Sequence, residues 1–229
     1  MPDVTRDESP DVTSDAGSVW DVVWDLGGVF LEWSPPEVVR RWLPDLVPDE
    51  ESLAELTHRL FQDFVLGSDW SEFDRGTLAA EELARRLAQR AGVGVERITR
   101  MIDGIPGSLD RKHDTFALSA RLRAAGHRVW FLSNMPGPFA ADLDTDPEFV
   151  AAFDDGLYSG RMGLVKPEPA IFADAARRLG LPPDGRQVVY LDDRDVNLVE
   201  PARLGWTCLL FTDAAHAEAD LVALGLLPA

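Results

Sequence analysis

Residues 188–197 read VVYLDDRDVN. Four consecutive apolar or aromatic residues run straight into a pair of carboxylates. A strand of that kind has no polar face to turn to water, which suits a parallel sheet covered by helices on both sides. The same profile recurs three times: Val22-Val23-Trp24 runs into Asp25, Val129-Trp130-Phe131-Leu132 into Ser133-Asn134, and Thr207 to Phe211 into Thr212-Asp213. Helical patterns separate the runs. Leu118 and Leu122 precede Gly126, and Ile171, Phe172, Ala175, Ala176 and Leu179 share one face before Gly180. The stretch before Gly205 is similar, with Pro201 either starting its regular part or kinking it. Strands alternating with helices predict an α/β fold with a parallel sheet. Ligands bind such sheets outside the carboxyl ends of the strands, so the polar residues that end the runs are expected along one edge.

Residues 34–112 break the alternation. Ser52 and Glu55 can form a capping box ahead of Leu53, Leu56, Leu60, Phe61 and Phe64 at helical spacing. Leu83 and Leu87, with Ala84 and Ala88, mark a second helix, and residues 95–102 a third. No strand is expected here. The chain is therefore expected to divide into an acidic, flexible tail (1–18), a sheet-bearing core (19–33 and 113–229) and a helical insert (34–112) placed to cover a site and set specificity.

Composition narrows the function classes. The 229 residues hold 40 acidic and 22 basic side chains, a formal charge of -18. That balance argues against nucleic acid and against an anionic membrane surface. Cys208 is the single cysteine, so neither an internal disulfide nor a cysteine zinc site is expected. There is no apolar run of membrane-spanning length, and Met1-Pro2-Asp3 is not the basic start of a signal peptide. The expectation is a soluble, cytoplasmic protein, its oligomeric state open and a homodimer among the options. Twenty of the basic residues are arginine; the two lysines are Lys112 and Lys166. Lysine in such a chain points to a position that needs a compact ammonium.

Four clusters carry chemistry: Asp25 in WDLGGVF, Ser133-Asn134 in FLSNMP, Lys166 in GLVKPEPAIF, and Asp192-Asp193 in YLDDRDVN. Singly they are weak, since an Asp after a strand is more often a turn residue and a Lys before Pro is usually solvated. Two adjacent carboxylates are more telling, because their repulsion asks for a cation or for solvent. In order and spacing the four resemble the haloacid dehalogenase superfamily over residues 19–213. DLGGV is closest in pattern to a branch with DLGGV or DLGNV that includes sugar-1-phosphate phosphatases. The resemblance implies a Rossmann-like core with an inserted helical cap. It also implies Mg²⁺-dependent hydrolysis of a small phosphorylated metabolite, a sugar phosphate among the options, through an aspartyl-phosphate intermediate. It makes Asp25 the nucleophile and Lys166 the group that offsets charge between nucleophile and phosphoryl. Ser133 and the Asn134 backbone would bind the transferring oxygens. Asp25, the Gly27 carbonyl, Asp193 and Asp192 would hold the metal. Asn197 either supports the metal-side loop or starts a helix.

One position departs from the family pattern. Most phosphatases of the superfamily have a second Asp two residues after the nucleophile as general acid and base, and this chain has Gly27. A general acid is worth about 10²–10⁴-fold. Either the leaving group is good, or water or the insert supplies the proton. Asp69, Glu72 and Asp74 in GSDWSEFDRG are the insert's candidates, or a solvated acidic loop; Arg75 beside them binds substrate or pairs with those acids. A positive φ at position 27 would make Gly27→Asp unfold. Two other readings stay open: a metal-free dehalogenase, against which Asp192-Asp193 argues, and a binding or regulatory protein with a weakened site. The tryptophans are expected in core packing, with Trp33, Trp42 and Trp70 able instead to line the insert's pocket.

Overall fold

The structure, a computed structural model, describes residues 18–228. The expected tail, apart from Ser18, lies outside the described residues. Five strands, β1 (Asp21–Trp24), β2 (Arg128–Ser133), β3 (Asp155–Tyr158), β4 (Val188–Asp192) and β5 (Thr207–Leu210), form one parallel sheet in the order β3-β2-β1-β4-β5. The α/β parallel architecture read from the sequence is thus the observed one. β1 is central and wholly buried, Trp24 lying between Phe131 of β2 and Leu191 of β4. Alternation divides its side chains. Val22 and Trp24 pack with Val129, Phe131, Val189 and Leu191 on one face, and Val23 with Leu132, Tyr190, Ile171 and Phe172 on the other. Both faces are apolar because both are covered, as a parallel sheet requires.

Helices follow each strand. Between β1 and β2 come α1 (Pro35–Trp42), α2 (Glu50–Phe61), α3 (Asp69–Arg75), α4 (Ala80–Ala91), α5 (Val95–Gly104) and α6 (His113–Ala124). After β2 come α7 (Gly137–Asp144) and α8 (Pro147–Ala152), after β3 α9 (Ser159–Met162) and α10 (Pro169–Leu179), and after β4 and β5 α11 (Val199–Arg203) and α12 (Ala214–Ala223). Pro201, two residues into α11, falls in the first turn, where its missing N–H has no helical partner to lose. None of the described helices is long and apolar enough to cross a membrane.

Two readings of local structure are corrected, and one strand has no counterpart in the sequence pattern. The strand β3 carries no apolar run: its DGLY opens on an exposed Asp, and Tyr158 is its one buried residue. Gly156 serves it by letting the Phe131 ring approach, since a Cβ there would lie 2.1 Å from Phe131 Cδ1. The insert contains five helices, not three, α1 and α3 being too short for a clear periodic signal. The capping box of α2 joins Asp49 to Ser52, three residues earlier than Ser52–Glu55: Asp49 Oδ1 accepts from Ser52 N–H at 2.9 Å. At the neck of the insert Glu32 N–H bonds to Asp110 O at 2.7 Å and Lys112 N–H to Phe30 O at 2.9 Å. The chain therefore leaves and re-enters the core at one place.

Candidate active site

Asp25 is the first residue beyond β1, and its N–H continues the ladder to Leu191 O at 2.9 Å. Ser133 ends β2, Asp192 ends β4, and Lys166 arrives from the loop between α9 and α10. All three are almost fully buried. Lys166 Nζ stands 2.9 Å from Asp25 Oδ1 and donates to Asp192 Oδ2 at 2.7 Å. Asp192 accepts further bonds from Tyr190 Oη (2.6 Å), Arg194 N–H (2.9 Å) and Asn197 Nδ2 (2.9 and 3.1 Å). Its carboxylate is thereby occupied on both oxygens and fixes the lysine. Asn134 fixes the same loop, its side chain donating to Lys166 O at 3.0 Å and accepting from Lys166 N–H at 2.8 Å. Ser133 Oγ makes no hydrogen bond to the described residues.

The electrostatics follow from three acids around one ammonium. Oxygens of Asp25, Asp192 and Asp193 all lie within 4.8 Å of one another. Burial pushes Asp25 up to about 7; Lys166 opposes this, while Asp192 and Asp193 add to it. Burial and then Asp192 also raise Asp193. For Lys166 burial favours the neutral form, but Asp192 and Asp25 outweigh it and hold the ammonium charged. Asp192 is lowered despite its burial because Lys166 faces it. A single lysine therefore leaves negative charge uncompensated, and an oxygen-rich cluster with surplus charge fits a hard divalent cation. Asp25 and Asp193 are the carboxylates with capacity left for it. Gly28, with φ +75°, brings the Asp25 loop against Asp193: a Cβ there would sit 2.4 Å from Asp193 Oδ2. The positive φ expected at position 27 belongs to Gly28. A Cβ on Gly27 would meet Trp33 at 3.5 Å, an ordinary contact.

Above this floor lies a cavity of about 390 Å³. Its upper wall is aromatic and comes mostly from the insert, with Trp33, Phe64 and Trp70 lining it. Trp33 stacks on Trp70 at 6.2 Å between centroids, and Phe61 packs behind Trp70 at 4.5 Å. Trp42 is elsewhere, its ring against Gly104. Gln62, Asp63 and Phe64 all adopt left-handed φ values of 50–56°, each costing on the order of 1–3 kcal/mol for residues with a Cβ. That turn aims Phe64 into the cavity, where Arg194 spans floor and wall. Its guanidinium lies 5.5 Å from the Phe64 centroid and donates to Asp63 O at 3.0 Å. In the sequence the one signal for Arg194 is its place directly after the acidic pair.

The structure separates the insert's acids. Asp69 is bound by Arg86 and Arg90, which hold it below the usual carboxylate range although burial alone would raise it. Glu72 accepts from Thr77 and Arg75. Of these three only Asp74 lines the cavity, 5% exposed; Asp63 of the left-handed turn also lines it, with its Oδ2 2.9 Å from His58 Nδ1. Arg75 does not line it; both its terminal nitrogens reach Glu168, at 2.6 and 2.9 Å. Asn197 lines the cavity while bonding Asp192.

This geometry agrees with a family match. The model of the haloacid dehalogenase-like hydrolases covers residues 22–203, from β1 through the last strand-end cluster. The chain belongs to the haloacid dehalogenase-like hydrolases. Among curated relatives, drimenol cyclase drtB of Aspergillus calidoustus is 25% identical over 87% of this chain and 35% of its own length, so the chain spans about a third of that protein. Sesquiterpene phosphatase astK of Aspergillus oryzae is 21% identical over 84% of this chain and 89% of its own. Among solved structures, a haloacid dehalogenase family enzyme of Bacteroides thetaiotaomicron, in complex with magnesium and inorganic phosphate, superposes with a TM-score of 0.64. It is 18% identical and covers 86% of this chain and 96% of its own. At that identity the likeness speaks for the fold.

Proposed function

We propose that this haloacid dehalogenase-like hydrolase is a Mg²⁺-dependent phosphatase acting on a small phosphate monoester with an apolar body. The observation that carries the reading is the pairing of a charged floor, Asp25–Lys166–Asp192, with an aromatic upper wall in one cavity. Asp25 Oδ attacks phosphorus to form the aspartyl-phosphate. Lys166, held by Asp192, keeps its ammonium between the nucleophile and the phosphoryl oxygens. Ser133 Oγ and the Asn134 N–H donate to those oxygens as charge builds on them. Asp25 and Asp193, with the Gly27 carbonyl, would hold Mg²⁺, and Asp192 acts by positioning Lys166. When bound, the ion offsets the repulsion between the carboxylates and the incoming phosphate.

The upper wall argues for the substrate's other end. A sugar needs hydrogen-bonding partners, whereas Trp33, Phe64 and Trp70 offer ring faces and edges. The name of one relative, sesquiterpene phosphatase, fits an apolar ester. Residues 34–112 would act as the cap that excludes water over the floor. The test is phosphate release from matched alkyl, prenyl, aryl and sugar phosphates, with Mg²⁺ and with chelator, using Asp25→Asn as the blank. Metal-dependent release favouring apolar esters is the expected result. Release of halide from haloacids, with none of phosphate, would turn the reading to dehalogenation.

A further inference from the structure

Gly27 leaves the proposed phosphatase without the usual proton donor beside its nucleophile. We propose that Asp74, carried by the helical insert, is the general acid and base of this site, working from the upper wall in place of a side chain at position 27. The inference rests on the phosphatase reading and adds a catalytic residue to it.

Placement is the main support. Asp74 is 5% exposed, lines the same cavity as Asp25 and Lys166, and its carboxyl has no hydrogen-bond or ion-pair partner among the described residues. Asp69 and Glu72, five and two residues earlier, are both consumed by partners. Three consecutive residues fasten this end of α3 to the core. Asp74 O accepts from Ser159 Oγ at 2.6 Å, and that hydroxyl in turn accepts from Met135 N–H at 2.9 Å, next to Ser133-Asn134. Arg75 grips Glu168, two residues beyond Lys166. Gly76, φ +84°, lies against Gly160, where a Cβ would be 2.6 Å from Gly160 O. The helix is thus tied to both loops that would contact the phosphoryl group. Such fastening holds a carboxyl over a reaction centre better than a loose lid would. The charged groups facing it are Asp25, Lys166 and Arg194; burial and then Asp25 favour its protonated form, against Lys166 and Arg194.

As Asp25 Oδ bonds to phosphorus, the bond from phosphorus to the leaving oxygen breaks, its electron pair stays on that oxygen, and the Asp74 proton moves there to release an alcohol. A water oxygen then bonds to phosphorus while its proton passes to the Asp74 carboxylate. The Asp25–phosphorus bond breaks, returning its electron pair to Asp25.

Asp74→Asn compared with wild type on an alkyl phosphate and on p-nitrophenyl phosphate, with Mg²⁺, tests this. Alkyl turnover is expected to fall by about 10²–10⁴-fold. With p-nitrophenyl phosphate the leaving group needs no proton, so a burst of about one nitrophenolate per site should precede slow turnover. The limb of the pH profile belonging to the acid should vanish, and Gly27→Asp in the Asp74→Asn background should restore part of the alkyl activity. Asp74→Asn that turns over the alkyl ester at the wild-type rate with the wild-type pH profile would overturn the proposal. Melting curves accompany the kinetics. If Asp74→Asn does not fold, Glu168→Gln loosens the Arg75 tie with Asp74 intact: slower alkyl turnover together with a nitrophenolate burst on the aryl ester supports the proposal, and an equal loss on both esters with no burst overturns it. Wild type inactive on every phosphate would remove the phosphatase reading and this one together; wild type active with Asp74→Asn unchanged removes only this one.

Discussion

The floor of the cavity is delivered by strand ends and the loops beside them, and its upper wall by helices and a strained turn. Asp25, Ser133 and Asp192 stand where three adjacent buried strands stop, so the register of β2, β1 and β4 sets their spacing. Trp33, Phe64 and Trp70 have no such frame; they are aimed by the neck of the insert, by three left-handed residues and by α3. The two surfaces also differ in what holds them. The floor is a set of buried charges linked through Lys166, where removing one partner strands the next. The wall is a cluster of rings in edge and stacked contacts, where each ring contributes area and shape. Breaking the floor should therefore abolish chemistry, and breaking the wall should alter which molecule is accepted.

The largest expected effect is at the nucleophile. Asp25→Asn keeps the shape of the side chain and removes the attacking carboxylate, so turnover should fall on the order of 10⁴-fold or more, as when other covalent nucleophiles are removed. Initial rates against a blank without enzyme measure it; turnover at the wild-type rate would remove Asp25 from the role. Lys166→Ala comes next. It removes the ammonium between two buried carboxylates, and kcat should drop by about 10²–10³-fold, the scale of losing one charged stabiliser of the transition state. The same change leaves Asp192 buried opposite no cation, so a loss of about 3–5 kcal/mol in stability should accompany it. A variant with lowered kcat but unchanged melting would show that Asp192 is satisfied by Tyr190 and Asn197 alone.

Trp33→Ala tests the wall. The ring is only part-buried and lines the cavity, so its loss should weaken apolar substrates by about 1–2 kcal/mol, roughly tenfold or somewhat more in KM. Sugar phosphates should be indifferent to it. Equal loss on both classes would mean that the ring shapes the floor, and the contrast between the two surfaces would fail.

Legibility divided along the same line. Asp25, Ser133, Lys166 and Asp192 could be read because each follows an apolar run or stands out by residue type, both local signals. Asp74 could not be told from Asp69 and Glu72, since their difference lies in where Arg86, Arg90 and Thr77 sit after folding. Arg194 reads as one more charge in DDRD until the left-handed turn brings Asp63 to it. β3 escaped notice because an edge strand with one buried side chain needs no apolar run. Asp21 shows the limit from the other side. It is a buried carboxylate at the start of the strand that Asp25 follows, yet Arg128 (2.6 Å) and Trp130 Nε1 (2.7 Å) bond its two oxygens at the opposite end of that strand. An acidic residue next to an apolar run marks a site only when it stands at the carboxyl end.

The smallest effect discriminates most finely, because it reads the floor without any substrate. Asp25 is pushed up to about 7, and Asp193 and Asp74 are raised as well, whereas an unfolded aspartate titrates near ~3.9. Between those values the folded chain holds protons that the unfolded chain has released, so these groups lower stability as pH rises. A divalent cation at Asp25 and Asp193 compensates the charge that appears above pH 7 and competes with protons below it. Mg²⁺ should therefore raise the melting temperature by a few degrees at pH 8, about 1–2 kcal/mol for a chain of this size, and much less at pH 5. Comparing each pH with and without the ion cancels the opposite contribution of carboxylates such as Asp69, which are held low and lose stability on acidification. Asp193→Asn sharpens the test, since it removes one of the repelling charges and one ligand together. At pH 8 the variant should melt higher than wild type without Mg²⁺ and gain almost nothing from adding it. A Mg²⁺ shift equal at both pH values, or one that survives Asp193→Asn, would place the cation elsewhere and leave the floor to Lys166 alone.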